Sequence, residues 1–130
     1  SERLSLYTQL DDMKSEEELK NFQRAINDRF GPIPPEVKDM IEIVRVRWKA
    51  EVLGIEKIML KNNNLRCFFV SSQNERYYKS SVFGKILDYV KVNPKKCSLK
   101  EAKGRLILSF DKVTSIDELQ TILTDIYSRG

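Results

Sequence analysis

The sequence predicts an α+β fold in which three N-terminal helices are followed by a small, mostly antiparallel sheet of about four strands with two further helices. Apolar residues recur at helical spacing as far as Leu53. After Gly54 the pattern changes to the alternation that is typical of strands. Two strand pairs then follow, and each of them precedes a helical stripe.

The first helix is expected over residues 3–13, because its apolar residues follow the spacing i, i+4, i+7. The second should begin after Ser15, which can form a capping box with Glu18 in an acidic first turn. It should end near Phe30, since Gly31 suits the position after a helix. The apolar stripes of these two helices are Leu6, Leu10 and Met13, then Leu19, Phe22, Ile26 and Phe30.

The segment from Asp28 to Pro35 predicts a rigid corner between the second and third helices. Its prolines stop the second helix, and Pro35 fits the first position of the third. The third helix should span residues 35–53 and stop at Gly54. It is apolar over so much of its circumference that we expect it to pack on more than one side. Its apolar positions are Val37, Met40, Ile41, Val44, Trp48 and Val52, with Ile43, Val46, Ala50 and Leu53 beside them.

The first expected β-hairpin consists of Ile55–Lys61 and Leu65–Ser71, joined by asparagines that tolerate positive φ. Leu65–Ser71 is partly apolar on both faces, which favours a central position in the sheet. A helix is expected over about residues 80–92, ended by Asn93 and Pro94.

The second hairpin should pair Ser98–Ala102 with Arg105–Phe110 around Gly104. Ser115 and Glu118 repeat the capping-box pattern and open the last helix.

Composition limits the class of protein. A chain of 130 residues is most simply one domain, and it has no apolar run long enough to cross a bilayer. Its net charge of +4 is compatible with nucleic acid but is also typical of a mixed, solvated surface. The two cysteines form no close pair and histidine is absent, so a zinc site is not expected. Without a secretory signal, both thiols should be reduced and the compartment cytoplasmic.

No catalytic constellation is recognisable. Gly84-Lys85 is the only Gly-Lys pair, and Ile86 follows it where a phosphate-binding loop needs Ser or Thr. Nucleophilic catalysis would lack its commonest general base, histidine. Carboxylate pairs such as Asp39 with Glu42 are usually solvated. We therefore expect no enzyme activity, no cofactor and no metal.

A cluster of cations and aromatics suggests a nucleic-acid site as an alternative function. Tyr77 and Tyr78 lie between Arg76 and Lys79, and such residues can stack on bases and meet phosphates. The competing interpretation, which we favour, is a loop whose tyrosines cover the sheet edge.

A recognisable pattern covers about residues 2–60. It reads Arg3-Leu4-x-Leu6-Tyr7-x-x-Leu10, then Leu19 in a helix, then Asp28-Arg29-Phe30-Gly31-x-x-Pro34, then a long helix ending Leu53-Gly54-Ile55. With this pattern the first half of the chain resembles the C-terminal domain of the bacterial transcription-repair coupling factor (the Mfd family). The motif residues that we single out are Arg3, Tyr7, Phe30, Gly31, Pro34 and Gly54.

The resemblance implies a regulatory domain, monomeric by itself, at the C-terminus of a larger DNA translocase in the bacterial cytoplasm. The parent protein of such a domain acts on double-stranded DNA and stalled RNA polymerase and recruits excision-repair proteins. The domain would pack on an N-terminal module that resembles UvrB. In that position it would mask the surface that recruits UvrA and would restrain the ATP-driven motor until polymerase is engaged.

The resemblance also implies a contact surface. Glu17, Asn21, Arg24 and Asp28 lie on one side of the second helix, away from its apolar stripe. Family members use acidic residues near the corner to meet arginines of the N-terminal module, and Asp28 matches one such position. Ala25 stands where relatives can carry a second acid. Alternatively, Asp28 only fixes the corner through a local pair or a bond to the backbone.

Overall fold

The fold is that of a computed structural model, which describes the backbone of residues 2–129 and the side chains of residues 4–129. The α+β prediction is confirmed, with three helices before a four-stranded antiparallel sheet. The elements in chain order are α1 (Glu2–Asp11), α2 (Glu16–Phe30), α3 (Pro35–Leu53), β1 (Ile55–Lys61), β2 (Asn64–Ser71), α4 (Glu75–Tyr78), α5 (Ser81–Val92), β3 (Cys97–Ala102), β4 (Arg105–Asp111) and α6 (Ile116–Tyr127). The four-residue helix α4 lies where the sequence suggested a loop.

The chain forms two compact units, Ser1–Arg45 and Val46–Gly130. The helix α3 contributes residues to both of them. The expectation of a single domain over residues 1–130 stays a prediction.

The N-terminal unit consists of α1, α2 and the first part of α3. The predicted cap of α2 is present, because the Glu18 N–H donates to Ser15 Oγ at 3.2 Å. The Glu18 carboxylate in turn accepts from the N–H of Lys14 at 3.0 Å, one residue before the capping serine. The buried side chains of this unit are Leu10, Leu19, Phe22, Ile26, Ile41 and Val44.

Three residues that we assigned to apolar stripes lie at the surface, and for them the expected burial is wrong. Phe30 is 50% exposed because it ends α2, where the groove beside that helix is open. Ile43 and Val52 are each about half exposed. Ile43 lies one turn before Val46, the first buried residue of its stripe, and Val52 lies two turns after Val44, the last buried residue of the other stripe. Helical periodicity predicts which face of a helix is apolar, but it does not predict how far along the helix other elements pack against that face.

The sheet of the C-terminal unit has the strand order β1-β2-β4-β3, so β2 is central as predicted. The β1–β2 turn uses Asn62 and Asn63 with φ of 53° and 63°, which is the backbone that two-residue hairpins require. The inner face packs in one core with residues of α3, α5 and α6. Fully buried members of this core include Leu53, Leu65, Cys67, Phe69, Ile86, Leu108, Leu123 and Ile126.

The turn from α3 into β1 is closed by an aromatic ring. Gly54 has a φ of +80°, and a Cβ on it would lie 2.2 Å from Cε1 of Tyr77. The Tyr77 hydroxyl donates to the carbonyl of Leu53 at 2.5 Å. The same ring contacts Phe69 and Phe83, with centroids 6.4 and 5.6 Å away. Gly54 is therefore required both for its backbone conformation and for the space that Tyr77 occupies.

Replacing Gly54 with alanine should destabilise the protein by roughly 3 kcal/mol, since a β-carbon would combine a strained φ with a clash against Tyr77. Urea unfolding followed by circular dichroism measures the change. Gly84→Ala is the matched control, because Gly84 lies in helix α5 with open space around it. That variant should be as stable as the parent or more stable by up to about 1 kcal/mol. Equal unfolding midpoints for both variants would contradict the packing role of Gly54.

Stability should decrease in alkaline solution through Cys67. Burial raises the pKa of this thiol from 9.0 to about 12. Between those pH values the unfolded chain loses the proton and the folded chain keeps it, so rising pH favours unfolding by up to about 1.4 kcal/mol per pH unit. Unfolding free energies from pH 8 to 11 should fall less steeply for Cys67→Ala than for the parent. Parallel pH profiles would show that Cys67 has no part in the decrease.

Candidate interaction surface

The polar side of α2 is the predicted contact surface, and the structure places its four residues in one exposed row. Glu17, Asn21, Arg24 and Asp28 are all exposed. They span about 16 Å along the helix axis at 1.5 Å per residue. Arg24 Nη1 donates to Asn21 Oδ1 at 3.1 Å, which holds the middle of the row together. The apolar residues Leu19, Phe22 and Ile26 are buried on another side of the helix.

Asp28 has no local partner within the described part of the chain. Among the residues whose side chains are described, neither Asp28 nor Glu17 forms a hydrogen bond or an ion pair. The alternative in which Asp28 fixes the corner by pairing locally therefore has no contact to support it. A solvated carboxylate at the end of a well-formed helix can instead pair with a cation on another surface.

The corner beside Asp28 is made by backbone groups. Gly31 has a φ of 84°, and its N–H donates to the carbonyl of Asn27 at 2.8 Å. The Pro34 carbonyl accepts from the N–H groups of Val37 and Lys38, both at 3.1 Å. These bonds end α2 and begin α3, in agreement with the predicted roles of Gly31 and the prolines.

An ion-pair network that the sequence analysis did not identify stabilises the same unit. Arg45 Nε donates to Glu16 Oε1 at 2.9 Å, and its Nη2 donates to Glu16 Oε2 at 2.6 Å. Arg45 Nη1 also pairs with Glu42. The hydrogen bonds that Arg45 donates to Glu16 raise the pKa of its guanidinium above the ordinary value. Residues 29 positions apart form the main pair, so no helical spacing could have indicated it.

An open groove of about 260 Å³ lies between α1 and α2. Leu6, Phe22, Ile26 and Phe30 form its apolar lining, with Ala25 among them. The Arg29 guanidinium lies 5.1 Å from the centroid of the Phe30 ring. An apolar depression thus lies beside the polar row on the same helix.

The remaining motif residues have different structural settings. Tyr7 is 39% exposed on α1. Arg3 belongs to the backbone of α1, but its side chain lies outside the described residues. Pro34 and Gly54 shape the two ends of α3. Pro34 and Gly54 therefore have structural roles, whereas the polar row of α2 lies at the surface.

The alternative cluster Arg76–Lys79 has its aromatics committed to packing. The Tyr78 hydroxyl donates to the carbonyl of Val70 at 2.5 Å, and Tyr77 bonds to Leu53. Tyr78 packs edge-on against Tyr77 and Phe83, with centroids 4.8 Å away in both pairs. Burial raises the pKa of both tyrosines. Lys79 lies 3.8 Å from Glu75. The tyrosines thus pack within the fold, against the end of α3 and the central strand β2 and not along an edge strand. This geometry does not favour base stacking, which stays an untested prediction.

The described residues offer little for catalysis. No group of three or more His, Cys, Asp or Glu residues within residues 4–129 is placed to hold a metal ion. A cleft of about 720 Å³ lies beside α6, and the apolar part of its lining is formed by Phe110, Val113 and Ile122. Its rim is formed mostly by charged and polar side chains, Lys95, Lys96, Asp111, Lys112, Asp117, Glu118 and Thr121. None of the helices within residues 2–129 is both long and apolar enough to span a bilayer.

The fold and the corner motif define a class of protein. A profile of the TRCF domain matches residues 1–80, and the chain belongs to this family. The crystal structure of the C-terminal domain of a transcription-repair coupling factor superposes with a TM-score of 0.71 at 20% identity. The superposition covers 95% of this chain and 74% of that one. The chain therefore has the fold of that domain.

Particular relatives are transcription-repair-coupling factors of bacteria. The protein of Escherichia coli (strain K12) is 38% identical over 56 residues, which is 43% of this chain and 5% of the relative. The protein of Borreliella burgdorferi is 23% identical over 126 residues, which is 96% of this chain and 11% of the relative. The chain thus spans about a tenth or less of the length of these curated relatives.

Reversing the charge of Asp28 should leave the fold intact. Because Asp28 is exposed and has no described partner, Asp28→Lys should change the free energy of unfolding by less than about 0.5 kcal/mol. Arg45→Gln should cost about 1 kcal/mol, because it removes a bidentate pair that is only partly exposed. Thermal and urea unfolding of both variants measure the difference. If Asp28→Lys were the more damaging change, Asp28 would have a structural role.

Proposed function

We propose that this chain is a non-catalytic regulatory domain of a transcription-repair coupling factor and packs on the N-terminal UvrB-like module of its parent protein. The polar row of α2 forms the contact. In the closed state the domain masks the UvrA-recruiting surface and restrains the DNA translocase, and engagement of stalled RNA polymerase in the bacterial cytoplasm releases it. The observation that carries the proposal is an exposed Asp28 without a described partner at the end of a firmly capped helix.

A reversible contact needs a surface that is stable both covered and uncovered. The polar row meets this need, because its four side chains are already solvated. Interfaces between domains of one chain are commonly polar enough to separate. A coupling of about 1–3 kcal/mol is the usual scale for such regulation. The row is therefore suited to a clamp that closes and opens.

The charges of the row indicate what the partner surface must carry. Glu17 and Asp28 place negative charge at the two ends of the row, and Arg24 lies between them. A complementary surface would present cations opposite both ends. Arginine suits this role, because its planar guanidinium can pair with a carboxylate through two hydrogen bonds. Ala25 cannot form a second acidic contact, so Asp28 carries more of the pairing here.

The first experiment measures binding of the chain to the isolated N-terminal module by isothermal titration calorimetry. Asp28→Lys should weaken binding by about tenfold, because it replaces an attractive charge pair with a repulsive one. Asp39→Lys is the matched control, since it makes the same charge change at an exposed position of α3 outside the polar row. Equal losses for the two variants, or no binding by the parent chain, would contradict the proposed contact.

A charge swap tests the pairing itself. Reversing an arginine of the module to glutamate should weaken binding to the parent chain and restore binding to Asp28→Lys. The size of this restoration is the coupling energy in a double-mutant cycle. If the changes in binding free energy of Asp28→Lys and of each arginine variant were simply additive, Asp28 would pair with none of the tested arginines.

A second experiment tests regulation in the full-length parent protein. Deleting the domain should raise ATPase activity in the absence of polymerase and should increase binding of UvrA. Asp28→Lys should change both readouts in the same direction by a smaller amount. Unchanged ATPase activity and UvrA binding after the deletion would contradict a regulatory role.

A further inference from the structure

The sheet of the C-terminal unit has a second face that lies outside the core. Alternation along β2 places Leu65, Cys67 and Phe69 in the core, so Arg66 and Phe68 point to the other side. Cross-strand pairing extends this outer sheet face over all four strands. One row of neighbours is Lys57, Phe68, Ile107 and Lys100, and the next is Met59, Arg66, Ser109 and Ser98.

The outer sheet face combines an apolar centre with a basic surround. Phe68 and Ile107 are half-buried at its middle, and neither belongs to the hydrophobic core or packs against it. Lys57 and Lys100 are exposed at the two ends of their row, about 14 Å apart at the usual strand spacing. The Lys57 ammonium lies 5.5 Å from the Phe68 ring centroid. The ring therefore lies directly beside a cation of the same face.

Three cations of this face have no carboxylate partner among the residues that the structure describes. Among the residues whose side chains are described, Lys61, Arg66 and Lys100 form no hydrogen bond or ion pair. Arg105, two residues before Ile107 on the same side of β4, does have such a partner, because its guanidinium lies 2.6 Å from the Glu56 carboxylate. A second acid in the outward pattern is Asp111, which lies opposite Asn64 at one end of the sheet.

A cleft at this end of the face adds polar donors. It has a volume of about 280 Å³ and is lined by Met59, Lys61, Asn62, Asn64 and Arg66. Two cations and two side-chain amides therefore converge beside the apolar centre. Such a group of donors can hold a phosphate.

We propose that the outer sheet face binds single-stranded nucleic acid. Phosphates meet Lys57, Lys61, Arg66 and Lys100, and a base stacks on Phe68. Basic surfaces that carry an exposed aromatic ring bind single strands in this way, because every base has a face that can stack. The site is distinct from both the polar row of α2 and the tyrosines of α4.

A single strand fits this surface better than a duplex does. A duplex keeps its bases stacked inside, so it could use the cations but not the ring of Phe68. An acidic protein segment would likewise use the charges and leave the ring without a specific partner. The aromatic centre between the lysines is therefore the feature that distinguishes the three ligands.

The test measures fluorescence anisotropy of a labelled twelve-nucleotide oligothymidine with the 130-residue chain. Binding should weaken with salt, with a slope of log K against log salt of about −3 for four phosphate contacts. Lys61→Glu with Arg66→Glu should weaken binding by more than tenfold. Phe68→Leu should weaken it by about tenfold, since it removes the stacking surface and keeps an apolar side chain.

The matched control is Lys91→Glu with Lys95→Glu. Both double variants lower the net charge from +4 to 0, because each of two reversals removes two units. Lys91 and Lys95 are exposed and lie outside the sheet. The control should weaken binding by less than threefold, and thermal unfolding should show that all variants are folded.

Several outcomes would overturn the proposal. They are no binding at 100 μM protein in low salt, equal losses for the two double variants, or no effect of Phe68→Leu in a variant that is folded. Competition by a duplex or by polyglutamate that equals competition by unlabelled oligothymidine would also overturn it, since it would identify a site for anions in general. Selective competition by the single strand supports it.

Discussion

The C-terminal unit depends on the contact between Gly54 and the ring of Tyr77. A helix, a strand and an aromatic cluster meet at this point. The missing side chain of Gly54 admits the ring, the Leu53 carbonyl accepts its hydroxyl hydrogen, and Phe69 and Phe83 pack against it. Because the ring touches the end of α3, the central strand β2 and the helix α5, it determines where β1 can begin. β1 then pairs with the central strand β2.

Local chemistry accounts for the parts of the fold that the sequence predicts well. The Ser15 and Ser115 caps, the corner after Gly31 and the Asn62–Asn63 turn each depend on a few adjacent residues. The missed features depend on distant ones. The sequence pattern includes Phe30 in a stripe but does not show that the groove beside it is open. The Arg45–Glu16 pair joins residues with no fixed spacing, and the exposed row on α2 was predictable because its four residues share one helix.

The charged residues fall into two groups with different consequences. Arg45 and Arg105 are paired within the chain and support its folded form. Asp28 on α2 and three cations of the outer sheet face, Lys61, Arg66 and Lys100, have no described partner and remain solvated. Unpaired surface charges contribute little to stability, so they can change without loss of the fold. Binding to another molecule is the role in which their position matters.

The strand order also determines how this sheet behaves towards other chains. β1 and β3 are its edges, and an edge strand offers unpaired backbone groups to which a foreign strand can add. Lys57 and Lys61 lie on one edge and Lys100 on the other. The pairing of β1 is irregular between Ile55 and Lys57, which interrupts a flat edge. If two copies paired through the same edge, the lysines of both copies would come close together, and this repulsion disfavours aggregation through the edges of the sheet.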